Sequence, residues 1–167
     1  FQLLSIVSDI LTMSTIDTNQ ETVNNEKVCI NSLISEIELV YSKQIGSKDL
    51  KLKSIKFIKD NNFFVFTDSG KLNQILSSLL SNAIKFTYSG EIIFGYKVND
   101  VCLEFFVKDT GIGIDSNKHE LIFKRFVQAD DTIQVNYGGT GLGLSICKGL
   151  VNIMTIFSLF KNLSIPF

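Results

Sequence analysis

A chain of 167 residues has room for one domain with a sizeable core and a short appendage. With 45% hydrophobic residues, 20% charged residues and one proline, the composition is that of a folded globular protein and excludes a disordered one. A net charge of −1 without a basic run argues against a nucleic-acid surface, and no apolar stretch reaches the roughly 18 residues that a membrane span needs.

The chain begins at Phe1 without a methionine, so it is expected to be a fragment with further segments upstream. Leu3, Leu4, Val7, Ile10 and Leu11 recur at helical spacing and predict a first helix, which fades into the polar linker Asp17 to Lys27. A second helix is expected from Asn31, carrying Leu33, Ile34, Ile37, Val40 and Tyr41, with Gly46 as its stop. "LKLKSIKFI" alternates like a strand, and "FFVF", Phe63 to Phe66, reads as a short one. Asp68 is placed to cap a third helix with Leu72, Ile75, Leu76, Leu79, Leu80 and Ala83 on its apolar face.

Next come "EIIFGYKV" and "VCLEFFVK", two strands with Asn99-Asp100 as a hairpin signal between them. A short helix is expected around "KHELIFKRF", then a polar loop from Gln128 to Tyr137. "GGTGLGLSICKGLVNIM" leads from a glycine-rich loop into a last helix. Helices and antiparallel strands therefore mix in an α+β order, without the regular alternation of a Rossmann sheet. Cys29, Cys102 and Cys147 are far apart, form no CxxC and have no histidine beside them, so buried thiols are expected rather than a metal or disulfide site.

Three stretches carry chemistry. In "FVKDTGIGI", Asp109 ends an apolar strand, and a carboxylate there can accept a hydrogen bond from an exocyclic amine such as that of adenine. Guanine would present an oxygen instead, so the acid also selects the base. Gly111 and Gly113 are expected to turn at positive φ and lie close to a planar ring. The bland alternative is a hairpin-end turn with an exposed acid. "GGTGLGL", Gly138 to Leu144, opens a helix, where free amides hold phosphates, although a hinge would read similarly. On the third helix Asn82 offers a neutral oxygen suited to Mg²⁺, and Lys85 stands one turn on.

In this order the stretches resemble the N box and two glycine boxes of the Bergerat-type ATP-binding domain. That group holds sensor histidine kinases, DNA gyrase, mismatch-repair ATPases and a heat-shock chaperone. "LNQILSSLLSNAIKFT", "VKDTGIGI", "LIFKRFVQAD" and "YGGTGLGLSICKGLV" are most similar to the catalytic domain of a two-component histidine kinase of the hybrid sensor class. The resemblance implies an α+β, two-layer sandwich with a mixed, mainly antiparallel sheet. It also implies a division at residues 1–22, one helix of a dimerisation and phosphotransfer hairpin, and 23–167, the catalytic domain.

Carried over, the resemblance implies ATP and Mg²⁺ as ligands. Asn82 would bind the metal, Lys85 approach the phosphates and Phe86 lie against adenine. Asp109 would take the adenine amine, with Gly111 and Gly113 shaping the pocket. Phe123 and Phe126 would form the F box beside a lid. Gly139, Thr140, Gly141, Leu142, Gly143 and Leu144 would bracket the phosphates. The implied partners are the family's phosphoacceptor hairpin and a response-regulator receiver domain. A homodimer and a cytoplasmic position, in a parent that can be anchored in the cell membrane, are implied too.

Several features depart from the pattern. The phosphoacceptor helix is missing, and the sole histidine, His119, lies in the F-box stretch, where a surface role is expected. Ser78 stands four residues before Asn82, where kinases often carry a second Asn and ATP-hydrolysing relatives a water-activating Glu. Serine offers no such base, which counts against an ATP-hydrolysing machine, while leaving open a nucleotide-binding module that has lost phosphotransfer. After Met154 the chain runs directly into "TIFSLF", which resembles the family's final strand, so the hairpin usually found between is expected to be deleted or interrupted at Met154–Thr155.

Overall fold

The computed structural model describes residues 2–46, 49–60, 63–99, 102–127 and 140–154. The chain divides into two compact units, Asn24–Gly113 with Ile156–Phe167, and Phe1–Val23 with Ile114–Thr155. The Met154–Thr155 junction, Gly139 and the loop from Gln128 to Tyr137 lie outside the described residues.

The first of these units holds β1 (Glu26–Cys29), α2 (Ile30–Ile45), β2 (Leu50–Lys56), β3 (Phe64–Thr67), α3 (Ser69–Phe86), β4 (Gly90–Val98) and β5 (Leu103–Asp109). β1 pairs antiparallel with β3, and a separate sheet runs β2-β4-β5, parallel in its first pairing and antiparallel in its second. This is the α+β mixture expected from the patterning. Alternation sorts the faces of the three-stranded sheet. Ile92, Phe94 and Tyr96 of β4 and Phe105 of β5 point into the core with Ile30, Ile34 and Ile37 of α2 and Leu72, Ile75, Leu76 and Leu80 of α3. Each such side chain contributes about 1.5–3 kcal/mol of burial.

Two local signals act as expected. Gly46 follows α2 with φ 52, a left-handed stop. Asp68 caps α3 and accepts the amide of Lys71 at 2.9 Å with one oxygen and that of Asn24 at 2.9 Å with the other. Burial works against its charged form, yet the two amides and the Lys71 ammonium outweigh that cost and hold the carboxyl below the usual range. A depressed carboxyl stabilises the fold above its unfolded value, near 3.9, and loses that contribution as pH falls through the folded value. Asp68→Ala is therefore expected to lower stability by about 1–2 kcal/mol at pH 7, and in urea unfolding its gap from wild type should shrink at pH 3. A gap of equal size at both values would remove this cap from the account.

Four sequence expectations need correction. The polar linker stops short of Lys27, because Glu26 and Lys27 pair with Thr67 and Phe66 to begin β1. A four-residue strand with exposed ends carries too little alternation to stand out. The β4–β5 ladder ends on reciprocal backbone bonds between Asn99 and Cys102, so Asn99 belongs to the ladder rather than to the connection. The stretch "KHELIFKRF" forms no α-helix; two 3-10 turns, Ser116–Lys118 and Leu121–Phe123, occupy the region, and Lys124 is already extended. Of the cysteines, only Cys147 is buried, while Cys29 and Cys102 are half-buried.

The other unit holds α1 (Gln2–Asp17), those two turns and α4 (Gly143–Ile153). α1 packs on α4 with Met13 buried and Ile16 lying over Gly149. Leu4, Val7, Ile10 and Leu11, four of the residues that predict this helix, are exposed. Among the described residues no helix is long and apolar enough to cross a membrane.

Candidate nucleotide site

In the sheet-bearing unit the expected residues gather where α3 and β5 end. Asp109 closes β5 opposite Ile92, a position that faces the helices. Its Oδ1 accepts the Gly111 amide at 2.9 Å and the Thr87 hydroxyl at 3.4 Å. Among the described residues no donor is recorded on Oδ2. One carboxylate oxygen is thus held by the protein.

The backbone is drawn in tightly here. Ile112 donates its amide to Phe86 O at 3.2 Å. A Cβ on Gly111 would lie 2.5 Å from Phe86 O and 2.8 Å from Asp109 Oδ1, so only glycine fits. Gly111 is not at positive φ, which corrects the sequence expectation; its need is steric. Gly113 does turn left-handed, with φ 69, but into open space. Thr87, buried at the end of α3, escaped the sequence reading. The signal was present, since a hydroxyl residue directly after an apolar helix suits a cap.

Asn82, Lys85 and Phe86 lie half-buried on the last turns of α3. The Lys85 ammonium sits over the Phe86 ring at 4.9 Å, and burial pushes its pKa down. Ser78 is half-buried one turn before Asn82. Among the described residues no cluster of three acids, histidines or cysteines could hold a metal.

In the other unit, the glycine loop and the F-box stretch meet. Phe126 donates its amide to Gly141 O at 3.1 Å. Gly141 has φ 68, and a Cβ there would fall 2.9 Å from Phe126 Cα. Thr140 Oγ1 accepts the Leu142 amide at 3.2 Å, and Leu142 is buried at the opening of α4. Gly143 and Leu144 form the first turn of α4, half-buried. Phe123 is half-buried beneath the Lys148 ammonium, at 5.9 Å, whereas the Phe126 ring is 70% exposed. His119 is half-buried, its Nε2 lying 3.1 Å from Ile114 O.

An acid that ends a strand beside a tight glycine turn in one unit, and a glycine-opened helix in the other, are each features of a nucleotide-binding ATPase class. The model of the family described as histidine kinase-, DNA gyrase B- and HSP90-like ATPase matches residues 67–158, more than half the sequence, and the chain belongs to that family.

Its homologues are hybrid sensor histidine kinases. The chain is 40% identical over 156 residues to hybrid signal transduction histidine kinase L of Dictyostelium discoideum, covering 90% of this chain and 9% of that protein. It is 37% identical to the autoinducer 2 sensor kinase/phosphatase LuxQ of Vibrio parahaemolyticus, covering 91% and 18%. Among solved structures, full-length ShkA in complex with AMPPNP matches with TM-score 0.79 and 28% identity, over 92% of this chain and 31% of that one. The catalytic domain of histidine kinase ThkA has the same fold, with TM-score 0.66 and 24% identity over 78% of this chain and 82% of that one. The chain thus spans less than a fifth of the length of these curated relatives.

Proposed function

We propose that this chain is the ATP-binding catalytic part of a sensor histidine kinase, and that it supplies the γ-phosphoryl group of ATP to a histidine on a dimerisation hairpin. The observation that carries the reading is Asp109, with Oδ1 bound by Gly111 and Thr87 and Oδ2 free to accept an adenine amine. Phe86 contributes an apolar surface for the base, and Gly111 and Gly113 shape the turn beside it. Gly139, Thr140, Gly141, Leu142, Gly143 and Leu144 bracket the phosphates, with Phe123 and Phe126 supporting that loop. Lys85, half desolvated and so readily drawn to an anion, approaches the phosphates.

A Mg²⁺ ion held by Asn82 would neutralise charge on the transferring group. Phosphoryl transfer depends chiefly on such positioning and neutralisation, which suits a site without a protein nucleophile. From the hairpin histidine the group passes to an aspartate of a response-regulator receiver domain. Residues 1–22 belong to the hairpin and 23–167 to the catalytic domain. The exposed stripe of Leu4, Val7 and Leu11 supports assembly of the hairpin in a homodimer. The domain works in the cytoplasm, in a parent that can be membrane-anchored.

The test is to supply γ-labelled ATP, Mg²⁺ and the histidine-bearing hairpin. Acid-labile phosphate is expected on the hairpin and none on His119 of this chain alone. Ser78 favours one second reading, a nucleotide-binding regulatory module without transfer. ATP binding with an unlabelled hairpin, even at high Mg²⁺, would decide for it.

A further inference from the structure

The small β1–β3 sheet has an outer edge with its hydrogen-bonding groups unused. Its backbone phase follows from the bond just beyond the strands, where Ile30 donates its amide to Phe63 O at 3.3 Å. In an antiparallel ladder, hydrogen-bonded pairs alternate with pairs that exchange no bond. With Val28 opposite Val65 and Lys27 opposite Phe66, the bonded pairs are Ile30–Phe63, Val28–Val65 and Glu26–Thr67. Phe64 and Phe66 therefore turn their N–H and C=O groups away from β1. Among the described residues none of those groups has a partner.

The side chains leave the same edge unguarded. Phe64 and Phe66 stand on one face of β3, 41% and 78% exposed. The Lys27 ammonium lies 4.4 Å from the centre of the Phe64 ring and covers part of it, while the Phe66 ring has no such cover among the described residues. β1 carries a charge of each sign, Glu26 and Lys27, of the kind that discourages strand addition; β3, Phe64–Thr67, carries no charge and no proline.

An edge of this kind takes an uncharged extended strand, and β3 itself meets the requirement. Antiparallel pairing about a two-fold axis at Val65 sets Phe64 opposite Phe66 of a second copy, and Phe66 opposite Phe64 of that copy. Both are bonded positions, so every unused group of the edge finds a partner and no like charges meet. An axis at Phe64 or at Phe66 would leave half of them unpaired. The same register brings the exposed rings together as cross-strand aromatic pairs on one face.

We propose that β3 is a self-pairing edge, through which two copies of this chain join antiparallel about Val65 and continue each β1–β3 sheet into the other. The contact is isologous and separate from α1, and it does not depend on the nucleotide reading. A strand this short buries far less than the roughly 1,200 Å² of a lasting interface, so the pairing is reversible and grows with concentration.

Amide hydrogen exchange of the chain at about 10 μM and about 1 mM tests it, with sedimentation velocity on the same samples. In the concentrated sample the Phe64 and Phe66 amides should exchange about tenfold more slowly, and a dimer should appear. Phe66→Lys and Phe64→Glu should each abolish the slowing with melting temperature unchanged. Mixing those two variants should restore it, because the register sets the new lysine opposite the new glutamate, and a merely structural role would not do this. Leu11→Lys, on the exposed stripe of α1, should leave the slowing in place; its loss there would assign the association to α1 and overturn the proposal. Equal exchange at both concentrations in the wild type overturns it too. So does slowing already complete in the dilute sample, which would mean that another segment of the same chain covers the edge.

Discussion

Asp109→Asn is expected to weaken ATP binding by about 1–3 kcal/mol without unfolding the protein. The reason lies in the separate duties of the two carboxylate oxygens. Oδ1 accepts from Gly111 N and Thr87 Oγ1, and the amide oxygen of asparagine can keep both bonds. Oδ2 becomes an amino group, so a donor would face the adenine amine, itself a donor. The same exchange should favour a base with an oxygen at that position. Titration with ATP and with inosine triphosphate checks both arms: wild type should prefer ATP, and the variant should lose or reverse that preference. Equal ATP affinity in the two proteins would remove Asp109 from base recognition.

Asn31→Ala should produce the largest loss of stability among these changes. Asn31 is 4% exposed, at the start of α2. Its Nδ2 donates to Ile58 O and Asp60 O, both at 2.8 Å, and its Oδ1 accepts the Tyr96 hydroxyl at 2.8 Å. Tyr96 is fully buried, and its hydroxyl also accepts the Ile58 amide at 3.3 Å. One side chain thus joins α2, the end of β2 and the centre of β4. Removing it strands the Asp60 carbonyl, takes one of two donors from Ile58 O and weakens the hydroxyl's pairing, which together cost about 3 kcal/mol. Tyr96→Phe, which leaves Asn31 Oδ1 without its donor and the Ile58 amide without its acceptor, should cost about 2 kcal/mol. Urea midpoints measure both, and a loss under 1 kcal/mol for Asn31→Ala would mean that water replaces the amide.

Much of the fold was legible because its signals are local. Alternation in "EIIFGYKV" and "VCLEFFVK", helical spacing around Leu72 and Leu76, the cap at Asp68 and the stop at Gly46 each depend on neighbours within a turn or a pleat. The site was legible as residue types for a similar reason, since an acid followed by glycines at alternate positions serves few purposes inside an apolar run. The two 3-10 turns in "NKHELIFKRF" were not legible, because their apolar spacing also fits an α-helix. β1 was hidden too, since a short strand is defined by its partner β3 rather than by its own four residues.

By itself, the amino-acid sequence determined the longer helices and strands, the apolar faces of α2, α3, β4 and β5 that form the core, and the motifs that mark a nucleotide-binding ATPase. Those properties are written in spacing and side-chain chemistry over a few residues. Tertiary structure alone decided that Asn31 binds Tyr96 across 65 positions, that Asp17 meets Arg125 across 108, and that Gly111 is required by the carbonyl of Phe86 rather than by its own torsion. Such pairings arise from the geometry of closure, where the partner of a polar group is whichever one the packed core brings within reach.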